Sequence, residues 1–192
     1  GGSSLNIYND TPEIRRQISF MKESFKNIKK ILAICWGMQV AVTAAGGEVK
    51  KGVKGSHIGI ANDIELTNQG LNNPFYKHKN NKFNTPAFNF DEVVTVPTDT
   101  THLASNKINN IQGLYFKAGV SEVWGIQYHP EITYEKMISI IKFRKDALIE
   151  KRKRFANEGE INSHISFIEE EIKLSEKHSR MLELKNWLDI IS

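Results

Sequence analysis

A short apolar run that leads straight into a cysteine and then into a helix constrains the fold more than any other feature of this sequence. Residues 31–34, Ile-Leu-Ala-Ile, contain no polar member, which is typical of a strand buried on both faces of a parallel sheet. Residues 37–45 then have the composition of an apolar core helix, and Gly46-Gly47 suits a left-handed helix end. We therefore predict an α/β fold with Cys35 at the carboxyl end of a buried strand.

The residues around this cysteine have the pattern of a nucleophile elbow. Ala33 and Gly37 are small and stand two positions before and after Cys35, which allows the sharp turn that exposes a nucleophile. The amino end of the following helix would favour the thiolate over the thiol. A lone cysteine in an apolar run is otherwise a small buried side chain, so a buried and unreactive thiol is the alternative.

A candidate base lies at the end of another predicted strand. Histidine can protonate a departing amine near neutral pH, and His129 follows the strand-like residues 122–127. Glu131, two residues later, can accept a hydrogen bond from the ring nitrogen that faces away from the cysteine. The alternatives are a structural histidine for His129 and a helix-start carboxylate for Glu131.

Hydrophobic periodicity organises the rest of the chain. A helix is predicted to begin at Pro12, where Thr11 can cap it. Between residues 50 and 128 the period changes to two, which predicts strands at 58–66, 93–96, 114–116 and 122–127. Helical spacing returns at 134–155 and again from 161 to 191. We predict a catalytic domain at 1–133 and a helical extension at 134–192, packed on or beside it.

The composition limits the kinds of partner and the cellular compartment that we expect for this chain. The chain has 192 residues with a formal net charge of +4, from 26 basic and 22 acidic side chains, too mild an excess to predict a nucleic-acid partner. The basic run at 151–154 is expected to be a solvated helix end, an anion or partner site being the alternative. No apolar run approaches the roughly 18 residues of a membrane helix. One cysteine allows no internal disulfide, so we expect a reducing compartment, the cytoplasm.

Two motifs together resemble a known family. Residues 34–39, Ile-Cys-Trp-Gly-Met-Gln, and residues 124–131, Trp-Gly-Ile-Gln-Tyr-His-Pro-Glu, are similar to those of the class I glutamine amidotransferases. Within that family they most resemble the glutaminase domain of GMP synthase and its stand-alone relatives. The resemblance implies a flavodoxin-like fold with the site at the carboxyl edge of the sheet. It also implies that Cys35 is the nucleophile, His129 the base and Glu131 the orienting carboxylate.

The same resemblance implies further site residues. Backbone N–H groups of Gly2 and Trp36 would form the oxyanion hole, and Gln39 would help to hold the substrate. Asn89 and Phe90 occupy the place of a Ser-His-Gly-Asp-like turn that lines the glutamine pocket in many members, so they are candidate substrate contacts. The resemblance implies no metal and no cofactor, and no phosphate-binding Gly-rich loop is present in the sequence.

The family has roughly two βα units before its Gly-Gly loop, and this sequence shows neither. We therefore expect the N-terminal strands of the fold to be missing from the chain as given. A sheet without its first central strand would expose apolar surface and unpaired strand edges, so we expect residues outside the given sequence to supply that part.

The sequence is compatible with three functions. The first is a glutaminase that releases ammonia from L-glutamine through a cysteinyl γ-glutamyl thioester and supplies a partner synthase. The second is a hydrolase of other γ-glutamyl amides or peptides, which needs no synthase. The third is an interaction module with a catalytically silent site. The sequence leaves the ammonia acceptor and the oligomeric state undetermined.

Overall fold

The structure, a computed structural model, describes residues 5–175 and 177–192. Within these ranges the chain alternates between helices and short strands. The strands are β1 Lys30–Ile34, β2 Glu48–Lys51, β3 His57–Ile58, β4 Ala61–Leu66, β5 Lys82–Thr85, β6 Phe88–Asn89, β7 Asp91–Thr95, β8 Thr101–Ser105, β9 Gly113–Ala118 and β10 Ser121–Ile126. The α-helices are α1 Pro12–Asn27, α2 Trp36–Ala44, α3 Asn68–Leu71, α4 Tyr134–Phe143, α5 Glu158–Leu174, α6 Lys177–Arg180 and α7 Leu182–Ile191.

Six strands form the main sheet in the order β1-β10-β9-β8-β4-β5, and two strand pairs, β2 with β7 and β3 with β6, stand beside it. β1 and β10 run parallel, with Ile34 opposite Ile126, whereas the other neighbours in the sheet are antiparallel. Parallel neighbours end at the same edge, so the residues after β1 and after β10 emerge side by side. The backbone N–H of Cys35 continues this pairing by donating to the carbonyl of Ile126 at 2.7 Å.

The two faces of the sheet are buried under different layers. Val123 of β10 packs into an apolar cluster with α1 and α2, while its neighbours Trp124 and Ile126 join a second cluster with Tyr76 and Phe83. This alternation follows from the two-residue period of a strand. A third cluster joins α4 and α5 to the short strand β3. Burial of these apolar side chains is the main force that holds the layers together.

The structure corrects two predicted elements. The predicted helix 134–155 ends at Phe143, and after it comes only a π-helical turn, Ala147–Lys151. The predicted strand 58–66 is broken into β3 and β4 at Gly59, whose φ is +84°. A Cβ at Gly59 would come within 2.7 Å of Ile141 and of Ile168, so the backbone turns there because two helices approach it closely. The core helix predicted at 37–45 is confirmed as α2. The strands β2, β5, β6 and β8 were not predicted.

The helices after residue 133 contact the sheet region directly. Trp187 of α7 lies 5.4 Å from Trp124 between ring centroids, and Lys30 of β1 donates to the carbonyl of Ile190. The division of the chain at residue 133 remains a prediction. In the described parts of the chain, no helix is both long enough and apolar enough to cross a membrane.

Candidate active site

Cys35 occupies a strained turn between β1 and α2. Its φ is 50° and its ψ is −105°, a region that non-glycine residues rarely adopt. Strain of this kind is found at functional sites, where the surrounding structure holds it in place. Ala33, two residues before Cys35, is buried, so its small side chain fits beside the turn. The turn leaves the thiol half-buried at the wall of a cavity.

His129 and Glu131 lie at the same edge and form a close pair. Nδ1 of His129 is 2.6 Å from Oε1 of Glu131, and the backbone N–H of His129 donates to the carbonyl of Pro86. Cys35 and His129 line the same cavity, and the interaction with Cys35 raises the pKa of the imidazole. Because Glu131 occupies Nδ1, the ring is held in one orientation. The structure therefore brings together the three residues that the motifs predicted as a catalytic set.

The pKa of His129 reflects competing influences. Burial lowers it, but hydrogen bonds to Cys35 and to Glu131, together with the charges of both partners, raise it to about 9. The imidazole therefore carries its proton at neutral pH and can donate it.

A buried glutamine pair lies behind the sulfur, and sequence reasoning missed one of its two members, Gln127. Nε2 of Gln127 donates to Sγ of Cys35 at 3.4 Å, and Nε2 of Gln39 donates to Oε1 of Gln127 at 3.2 Å. Both side chains are buried. One signal for Gln127 was available, since it stands two residues before His129 at the end of a strand and therefore points toward the same side.

The cavity at this edge has a volume of about 390 Å³. Cys35, Gln39 and His129 form part of its wall, together with Asn89 and Phe90. Most of the remaining wall is apolar and comes from Leu5, Ile34, Trp36, Phe88, Ile132, Met137, Ile140 and Phe143, with Asn6, Asp91, Arg144 and Arg152 as the polar members. A cavity of this size holds a small organic ligand.

Asn89 and Phe90 line this cavity, but the amide of Asn89 is already used within the protein. Its Oδ1 faces Nδ1 of His57 at 3.1 Å, and its Nδ2 donates to Asn109 and to the carbonyl of Asp91. Burial lowers the pKa of His57 to about 4, although its hydrogen bonds oppose this, so the ring stays neutral. This network holds the turn in place. Substrate contact by either residue therefore remains a prediction.

Two predicted site residues remain, Gly2 and Trp36. Gly2 lies outside the described residues. Trp36 opens α2, and the backbone N–H groups at a helix start have no partner within the helix. The Trp36 indole donates to Oε1 of Gln17 at 2.6 Å, which fixes the orientation of the side chain. Within residues 5–175 and 177–192, no group of three or more His, Cys, Asp and Glu residues is arranged to hold a metal ion.

The chain is similar to known proteins along most of its length. Residues 8–145 match the family model described as glutamine amidotransferase class-I. A γ-glutamyl-L-1-hydroxyisopropylamide hydrolase of a Pseudomonas species is 34% identical over 152 residues, covering 78% of this chain and 51% of the relative. A glutamine-hydrolyzing GMP synthase subunit from Methanococcus vannielii is 27% identical over 128 residues, covering 67% of this chain and 64% of the relative.

A solved glutamine amidotransferase of Thermotoga maritima superimposes with a TM-score of 0.70 at 20% identity, over 96% of this chain and 73% of that one. This likeness confirms the predicted flavodoxin-like α/β fold. The chain spans about half the length of the first two curated relatives that it matches.

Proposed function

Since this chain belongs to the class I glutamine amidotransferase family, we propose that it hydrolyses the side-chain amide of L-glutamine through Cys35. One observation carries the proposal. Cys35, on a strained turn, lines one cavity together with His129, and Nδ1 of His129 lies 2.6 Å from Oε1 of Glu131. This is the arrangement that nucleophilic catalysis requires, in which a nucleophile meets a base that a third group orients.

The first half of the reaction forms a thioester. The sulfur of Cys35 attacks the amide carbon, and the carbonyl oxygen becomes an oxyanion. His129, protonated at neutral pH, gives its proton to the amide nitrogen as the carbon–nitrogen bond breaks and ammonia leaves. The backbone N–H of Trp36, with that of Gly2, would stabilise the oxyanion, and each such donor contributes about 3 kcal/mol.

The second half releases glutamate. His129, now neutral, takes a proton from water as the water oxygen attacks the thioester carbon. The carbon–sulfur bond then breaks and the sulfur leaves as a thiolate, beside the imidazolium that has just formed. Glu131 stabilises that imidazolium and holds Nδ1, so that the other nitrogen faces the reacting atoms.

The ammonia would pass to a synthase partner. Support comes from relatives described as single subunits of a glutamine-hydrolyzing GMP synthase, since such a protein works together with another chain. The acceptor that receives the nitrogen is not defined by the residues described. The reaction is expected in the cytoplasm, where a single free cysteine stays reduced.

A second candidate is hydrolysis of N-substituted γ-glutamyl amides. The cavity beside Cys35 is mostly apolar, with walls from Phe88, Ile132 and Met137, whereas ammonia needs no apolar space. The similarity to a hydrolase of γ-glutamyl-L-1-hydroxyisopropylamide supports this alternative. In this case the departing group would be an alkylamine, and the roles of Cys35 and His129 would be unchanged.

Glutamate release from purified protein tests both candidates. We expect turnover of L-glutamine, and the ratio of kcat/KM for glutamine to that for γ-glutamylisopropylamide decides which substrate is preferred. Cys35→Ala should lower turnover at least 1,000-fold on either substrate, roughly the scale at which a covalent nucleophile acts, while circular dichroism stays unchanged. Wild-type turnover in Cys35→Ala would overturn the mechanism, and no turnover by the wild type would favour the silent interaction module.

A further inference from the structure

Gln127 is fully buried, yet its amide is directed at the sulfur of Cys35. The distance from Nε2 to Sγ is 3.4 Å, within hydrogen-bond range for sulfur, and none of the Gln127 side chain is exposed to solvent. A buried amide carries a desolvation cost unless its polar atoms are used. Here both ends are used, one on the sulfur and the other on Gln39.

Gln39 fixes which end of the Gln127 amide meets the sulfur. Nε2 of Gln39 donates to Oε1 of Gln127 at 3.2 Å, so this oxygen is occupied and the NH₂ end is turned toward Cys35. The reversed amide would place its oxygen against a thiolate and an NH₂ against an NH₂. In a buried setting with little water, such aligned hydrogen bonds strengthen one another.

We propose that Gln127 is a further catalytic residue, whose amide N–H stabilises the thiolate of Cys35, and that Gln39 is a positioning residue that aims this amide. The inference rests on the proposed role of Cys35 as nucleophile. Gln39, which the family motif assigns to substrate, thereby gains a second use that does not require substrate to be bound.

The hydrogen bond from Gln127 acts unevenly over the reaction. It favours states in which the sulfur is negatively charged, which are the thiolate that attacks the amide and the thiolate that leaves when the thioester is hydrolysed. In the thioester itself the sulfur is neutral and accepts only weakly. Loss of the donor should therefore reduce the reactive form of Cys35 at low pH and slow the second half of the reaction more than the first.

Iodoacetamide labelling of the free protein against pH tests this without turnover. In Gln127→Met we expect the pH of half-maximal labelling rate to rise by about one unit, a tenfold loss of labelling rate on the acid side, since hydrogen bonds to charged groups are worth this much. Gln39→Met should move it in the same direction by a smaller amount. Gln127→Glu keeps the side-chain size but replaces the donor with a carboxylate, so the shift should be at least as large as in Gln127→Met.

Gln112→Met is the matched control, because Gln112 is equally buried but donates to His57 rather than to Cys35. Its labelling profile should match the wild type even where stability falls. If Gln127→Met and Gln127→Glu fold and label with the wild-type profile, the proposal is overturned. If only Gln39→Met keeps that profile, Gln39 has no positioning role.

Mass spectrometry after mixing with glutamine supplies a second readout. We expect the γ-glutamyl thioester to accumulate on Gln127→Met to at least several times its wild-type fraction, since departure of the thiolate is slowed. Equal fractions would contradict the uneven action described above. Failure of the proposed function is recognised separately, because it appears as turnover by Cys35→Ala or as no turnover by the wild type, whereas the labelling profile is measured without substrate.

Discussion

Tyr128 and His129 are neighbours in the chain but belong to two very different polar clusters. The hydroxyl of Tyr128 joins Tyr76, Lys79 and Glu183, where the Lys79–Glu183 ion pair is 3.0 Å long and its side chains are 1% and 0% exposed. The imidazole of His129 pairs with Glu131 at 2.6 Å, with side chains 18% and 37% exposed. The first cluster joins the C-terminal helices to the sheet, and the second faces the cavity.

The buried Lys79–Glu183 ion pair stabilises the fold, whereas His129, paired with Glu131, can gain or lose its proton while the protein stays folded. Glu183 accepts from both Tyr128 and Lys79, and Lys79 also donates to the carbonyl of Ser179. Burial, aided by the charge of Glu183, raises the pKa of both Tyr76 and Tyr128, so both hydroxyls remain protonated. A proton added or lost here would leave a buried charge unpaired. His129 has no such constraint, because its side chain is partly exposed and lines the cavity.

The largest expected effect comes from breaking the buried cluster. Glu183→Ala leaves the ammonium of Lys79 buried without its partner, so we expect the free energy of unfolding to fall by about 3–5 kcal/mol. Chemical denaturation followed by circular dichroism measures this loss.

Two further variants test the cause. Asp189→Ala removes an exposed carboxylate from the same helix and should change stability by no more than about 0.5 kcal/mol. The double variant Lys79→Met with Glu183→Leu should regain most of the lost stability, since no unpaired charge remains. If Glu183→Ala and Asp189→Ala cost the same, the buried pair does not hold the fold.

A second prediction concerns the partly exposed pair of His129 and Glu131, called the open pair below. Its disruption should lower activity rather than stability. Glu131→Gln keeps a hydrogen-bonding side chain next to Nδ1 of His129 but removes its charge. We expect turnover to fall about 100-fold, within the range of general acid–base catalysis, with little change in unfolding free energy. Steady-state kinetics and chemical denaturation on the same sample separate the two quantities, and Glu135→Gln, on the adjacent helix, is the control.

The same variant should change the titration of His129. Because Glu131 helps to raise the pKa of His129 to about 9, the value measured by NMR should fall toward 6.5 in Glu131→Gln. A raised folded-state pKa means that the wild type loses stability as the pH increases from about 6.5 through about 9, and this loss should be smaller in the variant. An unchanged NMR titration would falsify the assigned cause.

The smallest effect should come from the link between the two clusters. The guanidinium of Arg180 donates to the carbonyls of Pro130 and Ile132, which flank Glu131, so it ties the C-terminal helices to the turn that carries the open pair. We expect Arg180→Met to cost about 1 kcal/mol of stability and to lower turnover about threefold. Lys185→Met, at an exposed position, is the control. If Arg180→Met loses stability but keeps the wild-type kinetics, the contact of Arg180 with this turn does not affect catalysis.

The sequence was sufficient to predict the edge at which the site forms. An apolar run before Cys35 and a strand before His129 predict that both side chains lie at the carboxyl edge of a sheet. The parallel pairing of β1 with β10 brings these two strand ends together. Gln127 was missed because its role depends on a contact with Gln39, 88 residues away. The pair of Lys79 and Glu183, 104 residues apart, was also missed, since neither residue stands in a periodic pattern that marks it as buried.

The limits of the helices and strands show the same dependence on distant contacts. Residues 58–66 alternate well enough to predict one strand, but α4 and α5 approach Gly59 so closely that the strand is interrupted there. Local patterns therefore predicted where elements occur, and packing between distant segments determined where they stop.

The strained backbone of Cys35 should influence which residue is selected at position 35. A φ of 50° costs a non-glycine residue roughly 1–3 kcal/mol and costs glycine almost nothing. A library of variants selected only for resistance to heat should therefore accumulate glycine at position 35, whereas selection for turnover should restore cysteine. The frequencies of glycine and cysteine under each selection would show whether stability or turnover determines the residue at this turn.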